Sequence, residues 1–437
     1  MPLIVTSDHL KPGMRLAKSV WACEGQQLLL SKGVILNNQL ITRLVRRGIE
    51  ACFVYLPGEN AVEDDFLCPV VPEHLERQVR ADVAHIVECV AQNRSLRNSL
   101  FQNLQESVSS IISVIFEDTT AFHYGLKNIS KHDEYTYEHM IGVMTVSLLI
   151  AKEGEDTGLF SFSFQDKINL GLGALFHDIG KLMLPSSLLN KKGPLNEKEW
   201  ELMSKHPYDG FKIVRQFPCM NPMARAIVLN HHQYWNGEGY GREAAGGLAG
   251  ETIPLLVRIV SVAGTYDALV SDRPYRRAFL PIEALKIVQN ESGVKFDPSL
   301  VEFLPQIIDP YPIGSVLFLS DWTLAAVTSI SLGEPQAMVL ATFRKEDANK
   351  VGNVFPLQKH GAHIVIGAPS LDHLAEKSAE ILASPSKNDS PLRHFLSSLC
   401  TAFVEKRADL NTVPCWESLI KKGFFPSLLE SLRVQGS

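Results

Sequence analysis

Gly173-Ala174-Leu175-Phe176-His177-Asp178-Ile179-Gly180-Lys181 decides the fold reading, because an apolar run stops abruptly in a histidine, an aspartate, a glycine and a lysine. The run predicts a buried helix. A His-Asp pair at the end of such a helix needs a partner, and a metal ion can serve both residues. Neighbouring helical residues differ by about 100° around the axis, so these two side chains can meet on one ion near a helix end.

Working outward, five of the chain's 14 histidines fall between His139 and His232: His139, His177, His206 and the adjacent pair His231 and His232. Imidazole nitrogen with carboxylate oxygen, and no cysteine in the set, suits Fe, Mn, Zn, Ni or Co rather than soft-thiolate chemistry. An imidazole serves one ion, whereas a carboxylate can bridge two through its two oxygens, which makes Asp178 the natural bridge. Two ions about 3.5–4 Å apart activate a water and stabilise both oxygens of an in-line displacement at phosphorus. Phosphodiester hydrolysis is therefore the expected reaction class.

From Lys131 to about Pro305 the chain reads as helices joined by polar loops. Residues 1–73 read as a small α/β unit with a linker, with a short helix from Asn37 to Gly48, a strand from Ala51 to Tyr55, and Pro57, Gly58, Pro69 and Pro72 in the linker. Amphipathic stretches at about 74–92 and 98–117 make 74–130 a helical connector. After Pro310-Tyr311-Pro312, the short runs Val316 to Leu319, Leu324 to Val327 and Met338 to Phe343 predict a β-rich appendage within 306–437. Ser384 to Pro391 has linker composition, and a pair of short helices is expected after it. The fold class is thus mainly α, a helical core flanked by small mixed or β-rich regions.

With 437 residues, 45% of them hydrophobic, the chain supports a large buried core. Its formal charge of -6 argues against general DNA or RNA binding, since a phosphate-tracking protein carries a basic excess. Met1-Pro2-Leu3-Ile4-Val5 lacks a signal-peptide pattern, and no apolar run of about 18 residues suggests a membrane span; a cytoplasmic location is expected. Seven cysteines without a C-x-x-C pair read as reduced, structural thiols.

The blocks His177 to Lys181, Met203 to Pro207, Asn230 to Gly241 (NHHQYWNGEGYG) and Tyr266 to Arg276 (YDALVSDRPYR), in this order, resemble the HD-GYP signature over about residues 131–305. Asp133 to His139 is similar to that family's first-histidine motif. The resemblance implies an all-α metal-dependent phosphohydrolase core that cleaves cyclic di-GMP to pGpG or GMP. It implies one metal site of His139, His177 and Asp178 and a second of Asp178, His206, His231 and His232, with Fe or Mn favoured and Zn, Ni or Co as alternatives. Tyr135 stands where some members have a glutamate for a third ion, so two metals are the upper expectation. Lys181 is expected to face the reacting phosphate as a catalytic point charge. Arg273 and Arg276 are expected to hold phosphates, and Tyr240 and Asp267 to contribute to the substrate site. The flanking regions leave room for a homodimer or a signalling partner.

Departures from the pattern bear on activity. Gly264 stands where the family carries an aspartate ligand of the first metal, so either water fills the vacancy, Asp267 one helical turn onward moves in, or the first metal binds weakly. Gly241, Asn236 and Gln233 replace a proline, an aspartate and a glutamate, and about four extra residues stand around Arg242 to Gly246; together these changes are expected to loosen the loop and remove two carboxylates. A second reading therefore stays open, a metal- and nucleotide-binding sensor or interaction module without catalysis.

Overall fold

The computed structural model describes residues 2–7, 10–21, 28–49, 51–55, 70–92, 94–117, 135–191, 193–240, 248–271, 278–331, 334–342, 345–357, 364–368 and 411–412. The N-terminal unit places β1 (Pro2–Thr6), β2 (Arg15–Leu16), β3 (Val20–Trp21), β4 (Leu28–Leu30), α1 (Asn38–Arg46) and β5 (Ala51–Tyr55) in order. A three-stranded antiparallel sheet runs β1-β5-β2, beside the β3-β4 pair. Asn37 caps α1 by accepting from Leu40 N, and Gly48 follows the helix at φ +79°, as the sequence predicts.

The helical body comprises α2 (Glu73–Ala91), α3 (Asn98–Glu117), α4 (Tyr135–Asp156), α5 (Phe164–Phe176), α6 (Ser186–Leu189), α7 (Glu197–Met203), α8 (His206–Val214), α9 (Pro222–Asn230), α10 (Leu255–Leu269), α11 (Pro281–Asn290), α12 (Pro298–Val301) and α13 (Leu304–Ile307). One continuous apolar core, running from Val70 to Ile308, includes Val79, Ile86, Leu104, Ile111, Met144, Leu170, Phe176, Ile227 and Val260. Helix α5 is buried from Ile168 to Phe176, and packs against α3, α4, α9 and α10. It starts at a capping box between Ser163 and Asp166. Its central position explains why the sequence around Gly173 carries no polar face.

The C-terminal sheet follows the order β10-β6-β7-β8-β11, from β6 (Val316–Leu319), β7 (Thr323–Ser331), β8 (Glu334–Thr342), β10 (Ile364–Ala368) and β11 (Asn411–Thr412), with β9 (Val354–Pro356) also on β8. The expected linker at 384–391 and the expected final helices lie outside the described residues. Among the described cysteines Cys52, Cys89 and Cys219 are free thiols. Burial pushes the Cys52 thiol up to about 12 and the Cys219 thiol up to about 11, so both stay protonated and inert at neutral pH. Among the described residues no helix is long and apolar enough to cross a membrane.

Candidate metal centre

Four helices deliver the sequence-predicted side chains to one point. His139 stands on α4, His177 follows the last residue of α5, His206 opens α8, and His231 and His232 follow α9. His177 keeps helical angles (φ -53°, ψ -39°), while Asp178 leaves the helix (φ -99°, ψ 5°) and starts a 3-10 turn over Ile179–Met183. This break lets two adjacent side chains face one centre.

Gly180 makes the next step possible. A Cβ at this position would lie 1.9 Å from His206 O and 2.5 Å from Gly210 N, so only glycine lets the 3-10 turn touch the backbone of α8. That contact carries His206 to the centre. Pro207, in the first turn of α8, suits a helix start because its missing N–H has no intrahelical partner there.

Asp178 is buried among the histidines with its two oxygens facing opposite groups. Oδ2 lies 3.5 Å from His139 Nε2 and 3.4 Å from His177 Nε2. Oδ1 lies 3.1 Å from His206 Nε2 and 3.7 Å from His231 Nε2. Lys181 Nζ reaches Oδ2 at 2.5 Å. His139, His177 and Asp178 can hold one ion, and Asp178, His206, His231 and His232 another, each set offering ligand atoms within 4.8 Å of one another.

The hydrogen bonds around the rings fix where their lone pairs point. His177 Nδ1 donates to Ala174 O at 2.7 Å, His206 Nδ1 to Met203 O at 2.8 Å, and His231 Nδ1 to Val228 O at 2.9 Å. A carbonyl can only accept, so each Nδ1 carries the proton and each Nε2 a lone pair. The carbonyls belong to the last turns of α5, α7 and α9, where backbone acceptors have no intrahelical donor. Those ends also carry the negative pole of the helix dipole, which favours a cation. His206 Nε2 and His231 Nε2 face each other at 3.3 Å. Two lone pairs at that distance repel unless a cation or proton lies between them. Asp178 Oδ1 is buried and accepts no hydrogen bond among the described residues. The donor set therefore fits divalent metal.

Charge states agree with that fit. Burial lowers the imidazolium range of His177, His206 and His231, keeping them neutral and able to ligate. Burial together with His231 and His206 lowers His232 further. At Asp178 burial pushes upward, but its neighbours, led by the Lys181 ammonium, outweigh it and hold the carboxyl well below its usual range.

The remaining predicted residues divide. Asp267, on α10, is fully buried, and accepts from His139 Nδ1 at 2.7 Å. This is the nitrogen opposite the one facing Asp178, so Asp267 neither fills in for the ligand absent at Gly264 nor lines an open substrate surface. Gly264, also on α10, would accept a Cβ in ordinary contact: the nearest atoms would be His177 Nε2 and Val143 Cγ1, each at 3.9 Å. Tyr240 stacks on His232 with ring centroids 4.4 Å apart at 18°. Arg273 and Arg276 lie outside the described residues, as do Arg242 to Gly246.

Up to Tyr240 the variant loop is braced rather than loosened. Buried Gln233 donates from Nε2 to Tyr240 O at 3.0 Å, and Asn236 donates from Nδ2 to Glu238 Oε2 at 2.8 Å. Gly239 presses against the loop start, where a Cβ would lie 2.2 Å from His232 O. The replacements that cost two carboxylates thus supply amide donors that hold the turn. Trp200 is the residue that sequence reasoning passed over. Its ring lies 5.2 Å from that of Tyr240, and its position six residues before His206 was the available signal.

A family model described as HD domain matches residues 160–300. A cyclic di-GMP phosphodiesterase of Pseudomonas aeruginosa is 27% identical over 289 residues, covering 62% of this chain and 66% of that protein. A cyclic di-GMP phosphodiesterase of Thermotoga maritima is 32% identical over 250 residues, covering 56% of this chain and 65% of that protein. The matches thus span just under two thirds of these curated relatives. A solved HDG"Y"P protein from Bdellovibrio bacteriovorus aligns with a TM-score of 0.43 at 15% identity, over 70% of this chain and 99% of that one.

Proposed function

We propose, from the premise that the chain carries an HD domain of the HD-GYP type, that it is a metal-dependent phosphodiesterase acting on cyclic di-GMP. One observation carries the reading: buried Asp178 turns one oxygen toward His139 and His177 and the other toward His206 and His231. A carboxylate so divided suits two divalent ions, Fe or Mn before Zn, Ni or Co. His139, His177 and Asp178 would hold the first, and Asp178, His206, His231 and His232 the second. Bound there, divalent ions supply Lewis acidity and water activation for in-line displacement at phosphorus.

The chain's own groups supply the rest. Lys181, already on Asp178, adds positive charge beside the reacting phosphate. Tyr240, stacked on His232, walls that side of the second site, and Arg273 and Arg276 take further phosphate charge. Asp267 holds His139 in the tautomer that carries its proton on Nδ1 and turns the Nε2 lone pair toward the Asp178 side. Water adds across a P–O3′ bond, its hydroxyl going to phosphorus and its proton to the departing 3′ oxygen. The product is pGpG, and a second hydrolysis yields GMP.

Anaerobic incubation with cyclic di-GMP and Fe²⁺ or Mn²⁺, followed by product chromatography, tests this directly. Asp178→Ala protein is the blank against contaminating phosphodiesterases. Product from the unaltered protein alone supports hydrolysis. Equal signals in both samples, or none in either, would leave Gly264 to mark a metal- and nucleotide-binding sensor.

A further inference from the structure

The geometry points to Trp200 as a stacking platform for a purine base of the nucleotide whose phosphate meets the histidine cluster. The inference rests on the hydrolysis reading above and adds to it the group that recognises the base. Trp200 is 49% exposed, so part of its indole is open to a ligand. It is also part of a chain of ring contacts: Tyr240 lies 5.2 Å from Trp200 and 4.4 Å from His232, and His232 lies 5.1 Å from His206. The exposed indole is thus two ring contacts from a candidate metal ligand, next to the tyrosine that stacks on it.

The helix that carries the indole is anchored at its start. Helix α7, only seven residues long, starts at a capping box in which Asn196 accepts from Glu199 N and Glu199 accepts from Asn196 N. Lys191 pins the same Glu199 carboxylate. Contact with the Tyr240 ring restrains the indole before a ligand arrives, and stacking on a restrained side chain loses little conformational entropy. The 66° angle between Trp200 and Tyr240 means that Tyr240 does not cover the indole as a parallel ring would. Tyr240 itself is stacked at 18° on His232, so the exposed member of the series is the one free to take a base. Aromatic stacking tolerates any base but grows with the π-face offered, which favours purines.

Ribose 5-phosphate and GMP differ only by the base, and that difference isolates the platform. Calorimetric titration of Mn²⁺-loaded full-length protein should show GMP binding roughly 5- to 150-fold tighter than ribose 5-phosphate. In Trp200→Ala the two affinities should converge, with ribose 5-phosphate binding and metal content unchanged. If Trp200→Ala loses both phosphates, Trp200→Leu, which keeps apolar bulk without a π-face, decides by the same comparison. A GMP preference that survives in the alanine or leucine variant overturns the platform and leaves hydrolysis standing. Equal binding by the unaltered protein also overturns it. Failure of that protein to bind either phosphate removes the hydrolysis reading and the platform together.

Discussion

His139 Nδ1 donates to Asp267 Oδ2 at 2.7 Å, joining two buried residues that lie 128 positions apart in sequence. A carboxylate on one imidazole nitrogen fixes the tautomer and raises the basicity of the other. Here the other nitrogen faces Asp178. Asp267→Ala should therefore weaken metal binding at the first site by about 10- to 100-fold, the usual cost of losing such a support. Asp267→Asn, which keeps an acceptor oxygen, should fall between. Metal titration with a circular dichroism check on folding measures both, and unchanged affinity in the alanine variant would dismiss Asp267 as a support.

Gly264 is the complementary case. A Cβ there would make only ordinary contacts, the nearest being His177 Nε2 and Val143 Cγ1 at 3.9 Å. Gly264→Asp should raise Mn²⁺ affinity at the first site on the order of 10-fold or more, a carboxylate ligand being worth at least as much as an outer support. Hydrolysis should rise with it. A gain in metal content without a gain in turnover would place the remaining defect in substrate docking.

The histidines of the centre were legible because they sit at helix ends, where a polar cluster interrupts an apolar run. Helices α2 and α3 were legible from their stripes, falling within a residue of the expected 74–92 and 98–117. Strands β7 and β8 were read short. Each runs nine residues, and the register slips between Val327 and Ser329, which breaks the period-2 pattern just where the reading stopped. What sequence could not carry was contact between distant segments. Asp267 on His139, Gly180 against His206 and Gln233 on Tyr240 each need the tertiary packing that creates them.

Neutral, buried histidines give the metal-free protein a particular pH dependence. His177, His206 and His231 have folded-state values lowered by burial, whereas the unfolded chain takes up protons near 6.5. Between the lowered values and 6.5 the unfolded state binds more protons, so stability falls as pH falls. Each group contributes at most about 1.4 kcal/mol per pH unit in that window. Chelator-treated protein should melt at lower temperature at pH 5.5 than at pH 7.5, two set points chosen about one unit either side of 6.5. His231→Gln should flatten the difference. A melting temperature independent of pH across this interval would mean that the rings are not held neutral.

Two glycines near the centre should respond oppositely to the same added methyl group. At Gly180 the new Cβ would sit 1.9 Å from His206 O and 2.5 Å from Gly210 N, both backbone atoms that no rotamer change can move. The 3-10 turn and α8 would have to separate, drawing His206 away from Asp178 Oδ1, now 3.1 Å from its Nε2. Overpacking of this kind costs about 1–3 kcal/mol or more, a fall of roughly 2–12 °C in a domain of this size. Second-site metal should be lost along with stability. At Gly264 the same methyl group meets only ordinary contacts at 3.9 Å, and replacing glycine by alanine inside α10 favours the helix by about 1 kcal/mol. Gly264→Ala should thus melt at or above the unaltered protein while Gly180→Ala melts below it. Thermal melts of the pair, followed by metal analysis, separate a glycine kept for backbone approach from one whose missing side chain leaves the metal centre open. Equal melting temperatures would show that α8 can shift without cost, and that His206 is placed by something other than the contact at Gly180.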